Sequence, residues 1–137
     1  MCLTLKFLLM TINQITSIII EECIYIHKKL GPGLFENVYE KVLTYRLEKR
    51  GLNVENQKAI PVIFEGIKMN VGYRVDLLVN QKVIVELKSI DLMPPVMQKQ
   101  LITYLRLLNM EIGLLINFNV YRLTDGIQRI ANNYVEE

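Results

Sequence analysis

Asp76 and the triplet Glu86-Leu87-Lys88 lie ten positions apart, and both interrupt otherwise apolar segments of the chain. The surrounding residues are rich in valine, isoleucine and leucine, which is typical of strands in the middle of a sheet that is covered on both faces. A charged side chain in such a strand loses solvation, and it is tolerated when it is paired or bound to a metal. Two acids and a lysine brought to one place would therefore form a chemical site.

These residue types fit a divalent metal centre that hydrolyses phosphodiester bonds. Hydrolysis needs a nucleophilic water molecule and neutralisation of the charge on the phosphate, and Mg²⁺ or Mn²⁺ supplies both. Such hard cations prefer oxygen ligands, so we expect Asp76, Glu86 and the backbone carbonyl of Leu87 to bind the ion. Lys88 would orient the attacking water or stabilise the transition state. A structural ion pair or a solvent-exposed strand end is the alternative that these residues alone leave open.

The hairpin that carries these residues must meet a geometric condition. A two-residue loop at positions 80–81 would pair Asp76 with Val85 and place Asp76 and Glu86 on opposite faces. Convergence requires a loop with an odd number of residues, or a bulge, so that Asp76 lies opposite Glu86. We predict that irregularity. Lys88 shares a face with Glu86 because side chains alternate along a strand.

Helical and strand patterns place this hairpin in one α/β domain. Apolar spacing predicts helices over residues 12–29, 35–50 and 96–108, the last opened by Pro94-Pro95. β-Branched runs predict strands over residues 59–64, 68–79, 83–88 and 112–117, with a turn at Glu65-Gly66, whereas residues 121–134 give mixed signals. The resulting order is roughly ααβββαβ. We expect a single domain over residues 12–137, preceded by a disordered extension of residues 1–11.

Composition adds few constraints on function. The 137 residues carry a formal net charge of +2, so binding to a polyanion would depend on local clusters of basic residues. Cys2 and Cys23 lack metal-ligand spacing, which argues against a zinc site or a disulfide framework and favours reduced thiols in a cytoplasm. No segment is long and apolar enough for a membrane span, so we expect no membrane partner.

Several short motifs follow one another along the chain. They are HKKLGPG at residues 27–33, GLFENVY at 33–39, YRVD at 73–76, VELK at 85–88, QLITYL at 100–105 and GLLINF at 113–118. Together these motifs resemble the GxxExxY family of small proteins, a branch of the PD-(D/E)xK nuclease-like superfamily. The resemblance extends over residues 12–131, with the motifs in the order and at the spacing of that family.

The resemblance implies a restriction-endonuclease-like core, in which a mixed central sheet flanked by helices carries the site on a hairpin. It also implies an acidic residue from a helix, which Glu36 matches and which would complete the metal ligands or hold a coordinated water. The alternative is a glutamate that the helix dipole favours at an N-terminus. Gln100 and Tyr104 share a helix face and match a Gln-x-x-x-Tyr pair that in this superfamily lies near the scissile phosphate or supports the lysine. An exposed glutamine and a core tyrosine are the alternative for that pair.

Two basic residues are candidates for contacts with nucleic acid. Arg74 has the same strand parity as Asp76 and could bind a substrate phosphate, although a lone arginine is more often a carboxylate partner or a surface residue. Lys99 stands where relatives are expected to carry a small or neutral residue, and it would add a phosphate contact. Tyr104 is the third residue that we expect near the nucleic acid.

The function expected from these features is that of a Mg²⁺- or Mn²⁺-dependent nuclease acting on DNA, with RNA as an alternative substrate. A second hypothesis is a nucleic-acid-binding or protein-interaction module that keeps the fold without turnover, because a fold does not determine function. The presence of Asp76, Glu86 and Lys88 together favours turnover. A homodimer would place two sites on the two strands of a duplex.

Overall fold

The computed structural model describes residues 9–70 and 72–133. The elements are, in chain order, α1 (Ile12–Leu30), α2 (Glu36–Lys49), β1 (Val54–Ala59), β2 (Val62–Phe64), β3 (Ile67–Met69), β4 (Arg74–Val79), β5 (Val83–Lys88), α3 (Val96–Leu108), β6 (Ile112–Asn117) and β7 (Ile127–Ala131), with a short 3-10 turn at Leu123–Gly126. Within the described ranges, no helix combines the length and the apolar character needed to cross a lipid bilayer.

Helix α1 begins and ends where local signals predict. The Thr11 side chain accepts a hydrogen bond from the Gln14 N–H at 3.2 Å, and the Gln14 side chain accepts one from the Thr11 N–H at 2.9 Å. This reciprocal cap satisfies two N–H groups at the helix start. Gly31 ends the helix with a φ of 76°, a conformation that glycine adopts without a Cβ clash. The helix predicted over residues 12–29 is confirmed.

The predicted N-terminal extension is described only in part. Residues 1–8 lie outside the described residues. Met10 is partly buried and packs against the hydrophobic core, and its carbonyl accepts a hydrogen bond from Lys82 Nζ at 2.7 Å. The domain boundary at residue 12 remains a prediction.

Tyr39 ties helix α2 to the turn that precedes it. Its hydroxyl donates to the Gly31 carbonyl at 2.6 Å and accepts from the Leu34 N–H at 3.2 Å. Its fully buried ring stacks on Phe118 with 4.1 Å between the ring centroids. The tyrosine of the GLFENVY motif thus fixes the turn from which Glu36 begins α2.

We expect Tyr39→Phe to lower the free energy of unfolding by about 1–3 kcal/mol, because the substitution keeps the ring but leaves a backbone donor and a backbone acceptor without their partner. Chemical denaturation would measure the change. Tyr45→Phe is the matched control, since Tyr45 is exposed, and it should change the free energy by less than about 0.5 kcal/mol. Equal stability of the two variants would contradict the anchoring role of Tyr39.

The central sheet has five strands in the order β1-β4-β5-β6-β7. β5 and β6 run parallel, and the other neighbouring pairs are antiparallel. Parallel neighbours need a crossover connection, which α3 supplies here. β2 and β3 form a separate two-stranded sheet. The predicted mixed sheet flanked by helices is confirmed.

Both faces of the central sheet are covered by helices. Apolar side chains on one face pack with α1 and α2, and those on the other face pack with α3. Strands β5 and β6 are almost entirely buried along their length. Glu86 of β5 therefore lies where water is scarce, as the apolar sequence around it predicts, whereas Asp76 of β4 is only half-buried.

The strands before β4 differ from the prediction. Strand β1 lies at Val54–Ala59, where no strand was predicted, and the strand predicted over 59–64 is the shorter β2. The single strand predicted over 68–79 is divided into β3 and β4. The polar composition of β1 conceals it, because an edge strand with half-exposed side chains needs no apolar run. The predicted turn at Glu65-Gly66 is confirmed, with φ values of 53° and 78°. Strand β7 occupies part of the segment that gave mixed signals.

Candidate active site

The hairpin formed by β4 and β5 has the odd-length loop that the sequence requires. Val79 pairs with Val83, which leaves residues 80–82 as a three-residue loop. Leu77 pairs with Val85, so the same register places Asp76 opposite Glu86. The two acids therefore share one face of the sheet, as predicted.

Asp76 and Glu86 hold each other in place through backbone hydrogen bonds. The Asp76 N–H donates to Glu86 Oε1 at 2.9 Å, and the Leu87 N–H donates to Asp76 Oδ2 at 2.8 Å. These bonds occur where the ladder between the two strands has ended. Within residues 9–70 and 72–133, neither carboxylate forms an ion pair with a lysine or arginine. The two side chains are thus oriented, while neither carboxyl group has a direct cationic partner within those ranges.

Glu86 has an unusual electrostatic environment. The residue is only 7% exposed. Burial, followed by the negative charge of Asp76, raises the pKa of Glu86 to about 8, although the hydrogen bond from the Asp76 N–H and the charge of Lys88 act in the opposite direction. Near neutral pH the carboxyl group therefore keeps its proton in the absence of a cation. A cation beside it would favour the ionised form.

Helix α3 contributes Gln100 and Tyr104 to the same region. Burial raises the pKa of Tyr104, and so do the charges of Glu86 and Asp76, whereas a hydrogen bond with Gln100 lowers it. The two side chains share one face of the helix, with the tyrosine hydroxyl in the electrostatic field of the two carboxylates. The predicted role of the Gln-x-x-x-Tyr pair stays a prediction.

A comparison with protein families agrees with this geometry. A model described as the PD-(D/E)XK nuclease superfamily matches residues 13–130. The match covers all the described helices and strands apart from the first residue of α1 and the last residue of β7. The chain belongs to the PD-(D/E)XK nuclease superfamily. No curated protein and no solved structure shows significant similarity to it. The restriction-endonuclease-like core is therefore confirmed, and the narrower GxxExxY assignment stays a prediction.

The donor set at this site of the PD-(D/E)XK fold fits a divalent cation, and such ions are generally used by nucleases of this superfamily. Asp76 and Glu86 bring two hard oxygen ligands to one place. The Leu87 N–H donates to Asp76. In a strand, the carbonyl of a residue points to the same edge as its N–H, so the Leu87 carbonyl also points toward β4. Mg²⁺ usually needs only one or two carboxylates, because waters and substrate phosphates complete its coordination.

Glu36 lies near the carboxylate pair but does not complete a cage with it. It begins α2 and is half-buried, and its negative charge is among the causes that raise the pKa of Glu86. In the described part of the chain, no three Asp, Glu, His or Cys side chains stand close enough together to hold an ion. The role of Glu36 as a metal ligand therefore stays a prediction.

Lys88 occupies the position expected for the lysine of the PD-(D/E)XK motif. It lies two residues after Glu86 on the same face of β5 and is half-buried. Its positive charge opposes the rise in the pKa of Glu86. The side chain is thus placed beside the carboxylates, and its part in cleavage stays a prediction.

The three predicted contacts with nucleic acid differ in their exposure. Arg74 is exposed, and its Nη1 donates to the Gln57 carbonyl at 2.9 Å. Lys99 is exposed on α3, next to Gln100. Tyr104 is only 8% exposed, so little of its ring is available for stacking on a base.

Gln57, which contacts Asp76, and Glu40, which contacts Gln57, were not predicted from the sequence. Gln57 Nε2 donates to Asp76 Oδ1 at 3.3 Å and to Glu40 Oε1 at 2.7 Å. Glu40 lies four residues after Glu36, and this spacing places both on one side of α2, which is a signal that the sequence does carry. No sequence signal marks Gln57.

Proposed function

We propose that this chain is a metal-dependent nuclease that hydrolyses phosphodiester bonds in DNA. The observation that carries the proposal is the convergence of Asp76 and Glu86, each held by a backbone N–H and neither paired with a cation in the described residues. A structural ion pair would need a cationic side chain in contact with them, and a solvent-exposed strand end would leave Glu86 hydrated. Membership of a nuclease superfamily supports the same conclusion.

In the proposed site, Asp76, Glu86 and the Leu87 carbonyl would hold Mg²⁺ or Mn²⁺, with Glu36 as a further ligand or the acceptor of a coordinated water. A bound divalent ion supplies neutralisation of charge on the scissile phosphate and a more acidic water molecule. Lys88 would donate N–H groups to a phosphate oxygen on the same face and stabilise the charge that develops there. Gln100, on the face of α3 that it shares with Tyr104, would add a contact to the phosphate.

A basic cleft beside Asp76 supports a nucleic-acid substrate. Its volume is about 630 Å³, and its described lining includes Lys68, Arg74 and Lys58, the last of which pairs with Glu55 at 3.1 Å. Arg74 precedes Asp76 by two positions on β4, so the cleft adjoins the proposed catalytic carboxylate. Backbone phosphates bind such clusters of cations mainly through electrostatic attraction. Lys99, exposed on α3, would add a further phosphate contact.

The decisive experiment is incubation of the purified protein with single-stranded, nicked, flapped and duplex DNA, and with RNA of the same sequences, in Mg²⁺ or Mn²⁺. We expect cleavage of DNA, a fall in rate of at least about 100-fold in EDTA, and recovery when excess Mn²⁺ is added. Gel electrophoresis of end-labelled substrates would measure the rates.

Each other outcome of this experiment has a defined meaning. Cleavage at full rate in EDTA would contradict the metal-dependent mechanism. Cleavage of RNA alone would identify RNA, and not DNA, as the substrate. Metal binding by calorimetry without cleavage of any substrate would favour the binding-module hypothesis.

We further propose that a homodimer acts on duplex substrates, because each chain carries one such carboxylate pair and a two-fold axis would place two of them on opposite strands. Sedimentation with and without duplex DNA would measure the assembly. A monomer that cuts both strands at the same rate would contradict this arrangement.

A further inference from the structure

Gln57 occupies an unusual place at the edge of the central sheet. The pairing between β1 and β4 passes from Asn56–Leu77 to Lys58–Val75, so Gln57 stands across from Asp76. Its φ of 50° lies in the left-handed region, which is strained for a residue with a Cβ. Such a conformation persists only when surrounding contacts compensate for it.

The contacts of the Gln57 side chain explain why the conformation is kept. Its Nε2 donates to Asp76 Oδ1 at 3.3 Å and to Glu40 Oε1 at 2.7 Å. An amide nitrogen carries two hydrogens and can therefore serve both acceptors at once. Carboxylates only accept hydrogen bonds, so the opposite orientation of the amide would place its oxygen against two negative charges. Glu40 thereby determines which end of the amide reaches Asp76.

Further bonds hold the two ends of this connection. The second oxygen of Glu40 accepts from Asn56 Nδ2 at 3.1 Å, which attaches the carboxylate to strand β1. The Gln57 carbonyl accepts from Arg74 Nη1 at 2.9 Å, which attaches the distorted backbone to strand β4. A continuous path of hydrogen bonds therefore runs from helix α2 through Gln57 to Asp76.

We infer that Gln57 is a positioning residue, anchored by Glu40, that fixes the orientation of the Asp76 carboxylate for binding of a divalent cation. The inference rests on the proposed function, because it assigns the cation to Asp76. The Leu87 N–H holds one oxygen of Asp76 and Gln57 holds the other, so the carboxylate cannot rotate freely about its last bond. Residues that orient metal ligands in this way typically change metal affinity or activity by 10- to 100-fold when they are replaced.

The test uses Gln57→Gly, which removes the amide and also relieves the left-handed strain. We expect Mn²⁺ affinity, measured by calorimetry, and kcat each to fall by at least about tenfold, while KM for nucleic acid changes by less than about twofold. Gln81→Gly is the matched control, because Gln81 also has a positive φ, of 57°, but lies in the hairpin loop, and its affinity and kcat should match the wild type. Gln57→Asn, which keeps a shorter amide and tolerates the same φ, should recover part of the loss.

Glu40→Ala is a second variant that tests whether Gln57 positions Asp76. It should produce a loss similar to that of Gln57→Gly, and the double variant should be no worse than either single variant, because both act through one bond to Asp76. If Gln57→Gly fails to fold in a melting experiment, Glu40→Ala is measured alone with the same readouts. Unchanged Mn²⁺ affinity and kcat, or an increase in KM alone, would overturn the inference, since the latter would indicate a direct contact with substrate.

Failure of the nuclease proposal can be told apart from failure of this inference. If the wild-type protein neither binds Mn²⁺ nor cuts nucleic acid, the nuclease proposal fails. The bond between Gln57 and Asp76 is then tested by NMR of the Gln57 side-chain amide in the wild type and in Asp76→Asn. A shift of that resonance supports the positioning contact, and an unmoved resonance overturns it.

Discussion

Asp76→Asn is expected to lower the rate of nucleic-acid cleavage by about 10³-fold without unfolding the protein, because a divalent ion contributes several kcal/mol and each 1.36 kcal/mol corresponds to a factor of ten. Asparagine has nearly the same shape, and its oxygen can still accept the Leu87 N–H that donates to Asp76 at 2.8 Å in the wild type. What is lost is the negative charge that the cation requires. Single-turnover cleavage in Mn²⁺ and calorimetric metal binding would measure the two effects.

Two further variants show which role each residue has. Asp125→Asn is the matched control, since Asp125 is an exposed aspartate that pairs with Arg122 at 3.5 Å, and the rate should be unchanged. Lys88→Ala should lower the rate by about 10²-fold while Mn²⁺ affinity is largely retained, because the lysine stabilises the transition state and does not bind the ion. Cleavage by Asp76→Asn at a rate close to that of the wild type would place the activity at a different site.

Local signals were sufficient for the elements that carry the site. Helices α1 and α3 begin and end close to their predicted limits, because a polar cap and a glycine mark the ends of one and Pro94-Pro95 precedes the other. The odd-length loop could be predicted because only one parity brings Asp76 and Glu86 to the same face. These inferences depend only on the residues within each element and directly beside it in the sequence.

The residues around Asp76 that the sequence did not reveal depend on tertiary contacts. Strand β1 is polar, so its sequence does not indicate a strand, and only its pairing with β4 in the structure identifies it. The left-handed conformation of Gln57 has no signal in residue type, because glutamine rarely adopts it and here does so to reach two carboxylates on other elements. A pattern within one strand cannot show which helix packs beside it.

Glu86→Gln should stabilise the metal-free protein at neutral and alkaline pH while abolishing its metal-dependent activity. Burial and the charge of Asp76 raise the pKa of Glu86 from the ordinary value of 4.5 to about 8 in the folded state. Between these two values the folded protein binds one more proton than the unfolded chain, so the free energy of unfolding falls as pH rises. The contribution of Glu86 is therefore fully present below about pH 4.5 and is lost as pH rises through 8.

The expected loss for the wild type between pH 5 and pH 8 is on the order of 3 kcal/mol, because each pKa unit corresponds to 1.36 kcal/mol. Glutamine keeps an oxygen that can accept the Asp76 N–H but carries no proton to lose, so this part of the pH dependence should disappear. Urea denaturation in EDTA at pH 5, 6.5 and 8 would measure it.

The control for this substitution is Glu111→Gln, because Glu111 is exposed and should follow the wild-type pH dependence. We expect Glu86→Gln to be more stable than the wild type by an amount that grows from pH 5 to pH 8, and to lose Mn²⁺ binding. That result would show that the Glu86 carboxyl group lowers the stability of the metal-free protein and serves to bind the cation. A variant that is less stable than the wild type at every pH would instead mean that the Glu86 carboxylate is a satisfied structural group, and the case for a cation at this hairpin would lose its electrostatic basis.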